Sequence, residues 1–186
     1  MLMLRALFAV VLLAFVGLTS PAHAASIIAW DVPTLTNESS IVVDATVESV
    51  VSTRQADGMI TTRVELRVHE GLKGTTGRTL VVHQIGGTVG DWTLTVPGAM
   101  QFVEGQRLVL FALEDDGRVY PTLFAWSGFI VEGSGPTALI RRTVEGLTLF
   151  DMDEQGVLRP VESPVVSPKT LDALRTTVLQ TVQGSR

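Results

Sequence analysis

No cysteine occurs in the 186 residues. That excludes thiolate nucleophiles, cysteine zinc sites, thiol redox chemistry and any disulfide framework. Histidine is nearly as scarce, with three in all, and His23 falls in the leader described below. Motifs that carry hydrolytic chemistry are missing too: there is no Gly-x-Ser-x-Gly, no Ser-x-x-Lys and no His-Glu-x-x-His. Carboxylates are plentiful, but spacing alone places no pair of them across a cleft. Basic residues are outnumbered, 14 against 19 acidic. An acidic surface repels phosphate, which counts against nucleic acid and against an anionic membrane surface as partners.

Only one long apolar run is present, and it opens the chain. Arg5 is the sole charge before Asp31, and Ala6 to Leu18 follow as an apolar stretch of about 13 residues. A spanning helix needs about 20. Thr19, Ser20 and Pro21 break the run, and Ala22-His23-Ala24 places small residues where signal peptidase reads them. Residues 1–24 therefore read as a cleavable signal peptide, with the mature chain starting at Ala25-Ser26 and working in the periplasm or outside the cell. No later stretch is long and apolar enough to span a bilayer. Removing the first 24 residues leaves about 162, enough for one domain with a real core and no need of disulfides. The leader takes one base (Arg5) and no acid, so 13 basic residues then face 19 acidic ones, a net charge near −6.

What the mature chain does have is alternation of period two, the mark of half-buried strands. In Ile41 to Val51, the residues Val43, Ala45, Val47 and Val51 share one face, and Asp44, Thr46 and Glu48 take the other. Ile60, Thr62, Val64, Leu66 and Val68 face inward on the next strand, with Arg63, Glu65, Arg67 and His69 outward. The Asp57-Gly58 pair between them predicts a hairpin turn. Further strands are predicted at Thr79–Ile85, Trp92–Val96, Arg107–Leu113, Arg118–Phe124, Gly128–Glu132, Thr137–Thr143, Leu147–Phe150 and Val157–Val161. Arg107–Leu113 is almost wholly apolar, as a strand buried on both faces would be. The tail changes period. Leu171, Leu174, Val178 and Val182 recur at helical spacing after Ser167-Pro168, which predicts a C-terminal helix over about 168–183, capped by Ser167. The expected fold is a single β-rich domain over 25–186, an antiparallel barrel or sandwich with that one helix.

A family likeness accompanies these strands. Glu38-Ser39-Ser40-Ile41-Val42-Val43-Asp44-Ala45-Thr46-Val47 resembles the opening strand of netrin-like domains. These are the oligonucleotide/oligosaccharide-binding (OB) type of barrel found in tissue inhibitors of metalloproteases. Val64 to Gly74, ending in Lys73-Gly74, resembles their second strand and its turn, and Gly105–Phe111 and Trp126–Phe129 resemble the strands that close the barrel. The likeness covers about Glu38 to Phe129 and implies an OB-like fold. In the inhibitors an N-terminal, disulfide-tethered cysteine meets the protease zinc. This chain has no cysteine, so the resemblance does not imply that mechanism.

Three sets of residues are candidate sites. His69 and His83, on successive strands, are placed as cross-strand neighbours, but a zinc site wants a third ligand and a closer pair, so no metal is expected there. Asp151-x-Asp153-x-Gln155-Gly156, followed by Glu162, has the offsets of a calcium loop. Its flanks read as strands, with Arg159 and Pro160 where ligands belong, so an acidic turn is the simpler reading. Trp30, Trp92 and Trp126 fall in or beside irregular segments, where tryptophan either plugs a core or anchors an interface. Gly86-Gly87-x-x-Gly90 lacks the Lys-Ser/Thr of a phosphate loop and reads as a flexible or bulged connection. The sequence thus leads to an exported, cofactor-free, non-enzymatic binding module that recognises another protein. Two alternatives stand beside it: an inhibitor of a secreted metalloprotease, by fold analogy only, and a hydrolase with an unrecognised carboxylate site.

Overall fold

The computed structural model describes residues 25–74, 77–135, 137–153, 155–161 and 168–185. In chain order the elements are β1 (Ala25–Ile28), α1 (Val32–Glu38), β2 (Ile41–Arg54), β3 (Ile60–Lys73), β4 (Thr79–Ile85), β5 (Gly87–Val89), β6 (Trp92–Leu94), β7 (Arg107–Asp115), β8 (Arg118–Pro121), β9 (Gly128–Glu132), β10 (Leu139–Arg141), β11 (Leu147–Met152), β12 (Leu158–Pro160) and α2 (Leu171–Gly184). A 3-10 turn, Phe124–Ser127, joins β8 to β9.

The predicted hairpin forms. β2 and β3 pair antiparallel from Val42–Lys73 to Arg54–Ile60. At its tip Gly58 takes φ +87°, the left-handed backbone that glycine adopts without a steric penalty. Asp57 Oδ1 accepts the Met59 N–H at 2.9 Å. β3 shows the predicted alternation, with Ile60, Thr62, Val64 and Leu66 buried and Arg63, Arg67 and His69 exposed. β2 departs from its simple alternation in two ways. Its pairing with β3 shifts register between Val47 and Ser49, leaving Glu48 as an extra residue. One extra residue turns every later side chain to the opposite face. Val50 therefore packs on the core, while Val51, expected inside, is 52% exposed. In its first half both faces are covered: Val43, Ala45 and Val47 enter one core and Val42 another. Asp44, expected outside, is buried.

Five strands close into a ring in the order β2-β3-β4-β8-β7 and back to β2. All neighbours are antiparallel except β4 and β8, which run parallel and meet only at Val82–Val119. This is a partly open Greek-key barrel of OB-like type. Its interior holds Val43, Val47, Val64, Leu66, Leu108 and Leu110 among others, with Met100 and Phe102 entering from the loop between β6 and β7.

Beyond the ring, β7 continues the sheet to β9 and β10. As predicted, β7 is buried on both faces. Leu108, Leu110 and Ala112 line the barrel, and Val109 and Phe111 lie under an outer layer. That layer consists of α1 and α2, which bring Val32, Leu35, Leu171, Leu174 and Val178 onto Val42, Phe111, Phe129 and Val131. α2 begins three residues later than the sequence predicts, with Thr170 rather than Ser167 as N-cap; Ser167 lies outside the described residues. The reason is tertiary. Leu139 and Thr170 form a β-bridge, the Ile140 N–H donates to Lys169 C=O, and the Leu171 N–H donates to Ala138 C=O. The chain is thus held extended up to residue 170 and turns helical only beyond it.

Three elements go beyond the predicted set: β1, α1 and β5. α1 has a complete start signal, with Asp31 Oδ1 accepting the Thr34 N–H at 2.8 Å and a proline in the first turn. The Gly86-Gly87 connection, read as flexible or bulged, opens a small β5–β6 hairpin. At Gly87, φ +129°, an added Cβ would strike the hydroxyls of Ser52 and Thr62. β1 pairs in parallel with β11, which pairs antiparallel with β12, forming a separate sheet over Trp126.

Candidate functional site

The seam of the barrel carries the candidate site. β4, β8 and the β2–β3 hairpin tip border two adjoining hollows of 480 and 590 Å³. Both are lined by His83, Gln84, Ile85 and Tyr120, so they form one groove. One end is apolar, with Val96, Ala99, Pro121 and Phe124. The other is polar, with Asp57, Arg63 and Arg118.

Alternation explains how the side chains arrive there. Arg63 points out of β3, and its cross-strand partner on β4 is His83. Across the seam, Arg118 and Tyr120 share a face of β8 because they are two residues apart. The Tyr120 and His83 rings lie 6.3 Å apart, tilted by 52°. Burial, and then the charges of Arg118 and Arg63, push the His83 pKa below its usual 6.5. Two arginines, Arg63 and Arg118, and one acid, Asp57, line the groove. Arg63 shares its charge with Glu65 at 3.1 Å, while Arg118 has no ion-pair partner among the described residues. Apolar side chains stand open at its rim: Met59 is 41%, Ile85 53% and Phe124 43% exposed. Such exposure of large side chains around a concavity is a feature of binding surfaces.

The sequence-predicted residues are distributed as follows. His69 and His83 are not cross-strand neighbours. His83 sits opposite Arg63, six residues along β3 from His69, or about 20 Å away. His69 instead shares a 2.8 Å hydrogen bond with Thr46. Among the described residues no three His, Asp or Glu side chains come together as a metal site requires. In the acidic turn, Asp153 spends its carboxylate on the turn itself. It accepts the N–H groups of Val157 (2.8 Å) and Gln155 (3.1 Å) and pairs with Arg159 at 2.9 Å. The Val157 N–H and Arg159 hold its pKa below the usual range. Asp151 accepts the neighbouring Met152 N–H at 2.8 Å, and Glu162 lies outside the described residues.

The three tryptophans separate. Trp126 is buried, its Nε1–H donating to the Trp30 C=O at 2.8 Å. Trp30 is half-buried and lines a further hollow of 590 Å³ beside Asp31 and Asp151. Trp92 stands 60% exposed on β6, with the Arg54 guanidinium 4.2 Å from its ring centre.

One buried charge lies away from the groove. The Arg142 guanidinium sits 3.9 Å from the Trp126 ring centre and 4.1 Å from that of Phe129, and its nitrogens have no hydrogen-bond partner among the described residues. Burial, opposed by the charge of Asp31, pushes its pKa down to about 9. The aromatic faces hold this cation where no acid hydrogen-bonds to it.

The groove itself had been only partly visible as a site. Arg63 reads as an outward residue of its strand and His83 falls on the next strand, but the approach of Tyr120 and Arg118 depends on ring closure. The one available signal was Pro121 in a strand pattern, since proline marks an edge or an interrupted ladder. Among the described residues no helix is long and apolar enough to cross a membrane. No family model, curated protein or solved structure matches the chain.

Proposed function

We propose that this chain is an exported, non-enzymatic binding module that recognises another protein through the groove at the barrel seam. The observation that carries the reading is the groove's composition. Apolar side chains stand exposed around a concavity that also carries two arginines and a tyrosine. Protein interfaces favour this mixture of apolar and aromatic groups with arginine. Three rings line the groove, His83, Tyr120 and Phe124; what counts against single-stranded nucleic acid is the acid excess of the chain, 19 against 14. The reading places the processed chain outside the cytoplasm, on the strength of residues 1–24.

The inhibitor alternative gains less support. Ala25 pairs in register with Leu147 and lies against Gly98, so the expected mature N-terminus is built into a sheet rather than held out as a wedge.

A random 12-residue peptide library panned against the exported, processed chain tests the reading. Enriched peptides should bind at micromolar levels, and Ile85→Ser or Phe124→Ser should weaken them at least tenfold. The reading fails if nothing enriches, or if these substitutions leave binding unchanged. Stoichiometric loss of activity in a panel of secreted metalloproteases would favour the inhibitor instead.

A further inference from the structure

The ring stops short of full closure at one place, and a proline is the reason. On β3 and β4 the Gly86 N–H donates to the Ile60 C=O at 2.9 Å. In an antiparallel ladder, bonded and non-bonded pairs alternate. Thr62–Gln84 and Val64–Val82 are thus bonded pairs, while Arg63–His83 and Thr61–Ile85 are not. The backbone N–H and C=O groups of His83 and Ile85 point away from β3, toward β8. On β8 the Thr122 N–H donates to the Phe111 C=O at 3.1 Å. By the same alternation Leu113–Tyr120 is a bonded pair, and the backbone groups of Val119 and Pro121 turn away from β7, toward β4.

Val82 and Val119 make the parallel contact. The next rung would need residue 121 to donate to the His83 C=O. Pro121 has no N–H. The Val82–Val119 contact uses the His83 N–H, and no register joins β8 to β4 beyond it, so the His83 C=O and the backbone groups of Ile85 face the 480 Å³ hollow.

We propose that this seam accepts an extended, acidic segment of a partner protein as an added strand. Its backbone pairs with the His83 C=O and with Ile85, an apolar side chain enters the hollow beside Val96, Ala99 and Phe124, and a carboxylate meets Arg118 and Arg63. Strand addition is an established mode of peptide capture, in which main-chain bonds give affinity and pockets give selectivity. Charge complementarity selects the acidic segment. The chain as a whole is negative, −5, yet Arg63 and Arg118 both line the seam. The acid lining this groove, Asp57, is engaged by the Met59 N–H. The proposal rests on the protein-binding reading above and adds the binding mode and the charge of the ligand.

The test uses one synthetic peptide from the selection described above, titrated calorimetrically into the processed chain. The selected sequences should combine Asp or Glu with apolar residues, and Arg118→Glu should weaken binding at least tenfold. Pro121→Val restores an N–H and lets β8 close on His83. It should weaken binding at least tenfold without lowering the melting temperature. In the unmodified protein, bound peptide should slow hydrogen exchange at the Ile85 amide at least tenfold, a readout that stands even if Pro121→Val folds poorly. If peptides bind but the Ile85 amide exchanges as in the free protein, strand addition is wrong and the protein-binding reading survives. If the selected peptides are basic or uncharged, the charge assignment is wrong. If a 20-residue oligothymidylate displaces every peptide and binds more tightly, both the proposal and the reading beneath it fall.

Discussion

Arg107 grips a carboxylate that water scarcely reaches. The Asp44 side chain is 2% exposed and takes two hydrogen bonds from Arg107, at 2.8 and 2.7 Å. Two parallel N–H···O bonds to a carboxylate are among the strongest polar contacts in proteins. The partners are unequally buried, since Arg107 keeps 31% of its side chain in solvent. Losing the arginine strands a buried anion, whereas losing the acid frees a cation that water can meet. Arg107→Met should therefore cost about 3 kcal/mol and Asp44→Asn about 1 kcal/mol, read from urea unfolding. The asymmetry is the test, and equal losses would refute it.

His83 supports a prediction of the same scale. Its pKa in the fold lies below the ordinary 6.5. As pH falls through that range the unfolded chain binds the proton more readily than the folded one, so the residue's contribution to stability declines with acidification. Between about pH 7.5 and about pH 5 the melting temperature of the native protein should fall relative to that of His83→Gln. Parallel curves would show that burial and the neighbouring arginines do not disfavour the imidazolium.

At the scale of elements, β3 was legible because one of its faces is buried and the other wet, so the pattern repeats every second residue. β2 was legible as a strand but not in its phase. A bulge at Glu48 is a property of the pairing with β3, and no residue in β2 announces it. α1 was missed because seven residues are too few to show a period of 3.6, although Asp31 and Pro33 gave its start. The C-terminal helix was legible from its apolar stripe, and its first turn was not, because β10 holds residues 169–171. For α2 two changes separate capping from packing. Thr170→Ala removes the N-cap and should cost about 1 kcal/mol. Leu174→Ala opens a hole at a position 0% exposed and should cost about 3 kcal/mol. Thermal unfolding of both variants measures the difference, and a cap loss as large as the core loss would contradict this division.

Across the whole molecule, β2 and β7 serve two cores at once. One face of each lines the barrel, and the other carries the helices. Neither core can open without stripping a strand from its neighbour. Unfolding followed by circular dichroism, which reports the strands, should therefore coincide with unfolding followed by tryptophan fluorescence, in which buried Trp126 reports the third cluster. Separate midpoints would mean that the β1–β11–β12 sheet melts on its own.

Sequence alone determined the strand-rich character, the hairpin at Asp57-Gly58, the doubly buried β7 and the terminal helix. Each is written in local spacing, where a side chain's polarity reports its own exposure. Tertiary structure alone decided the ring order, the bulge that moved Val51 outward, the burial of Asp44 and the meeting of Arg63, His83, Arg118 and Tyr120. Those depend on which strand lies beside which, and hydrogen-bond pairing between distant segments sets that. Pro121 spans both levels: its missing N–H is plain in the sequence, but only the approach of β8 to β4 turns that lack into a gap.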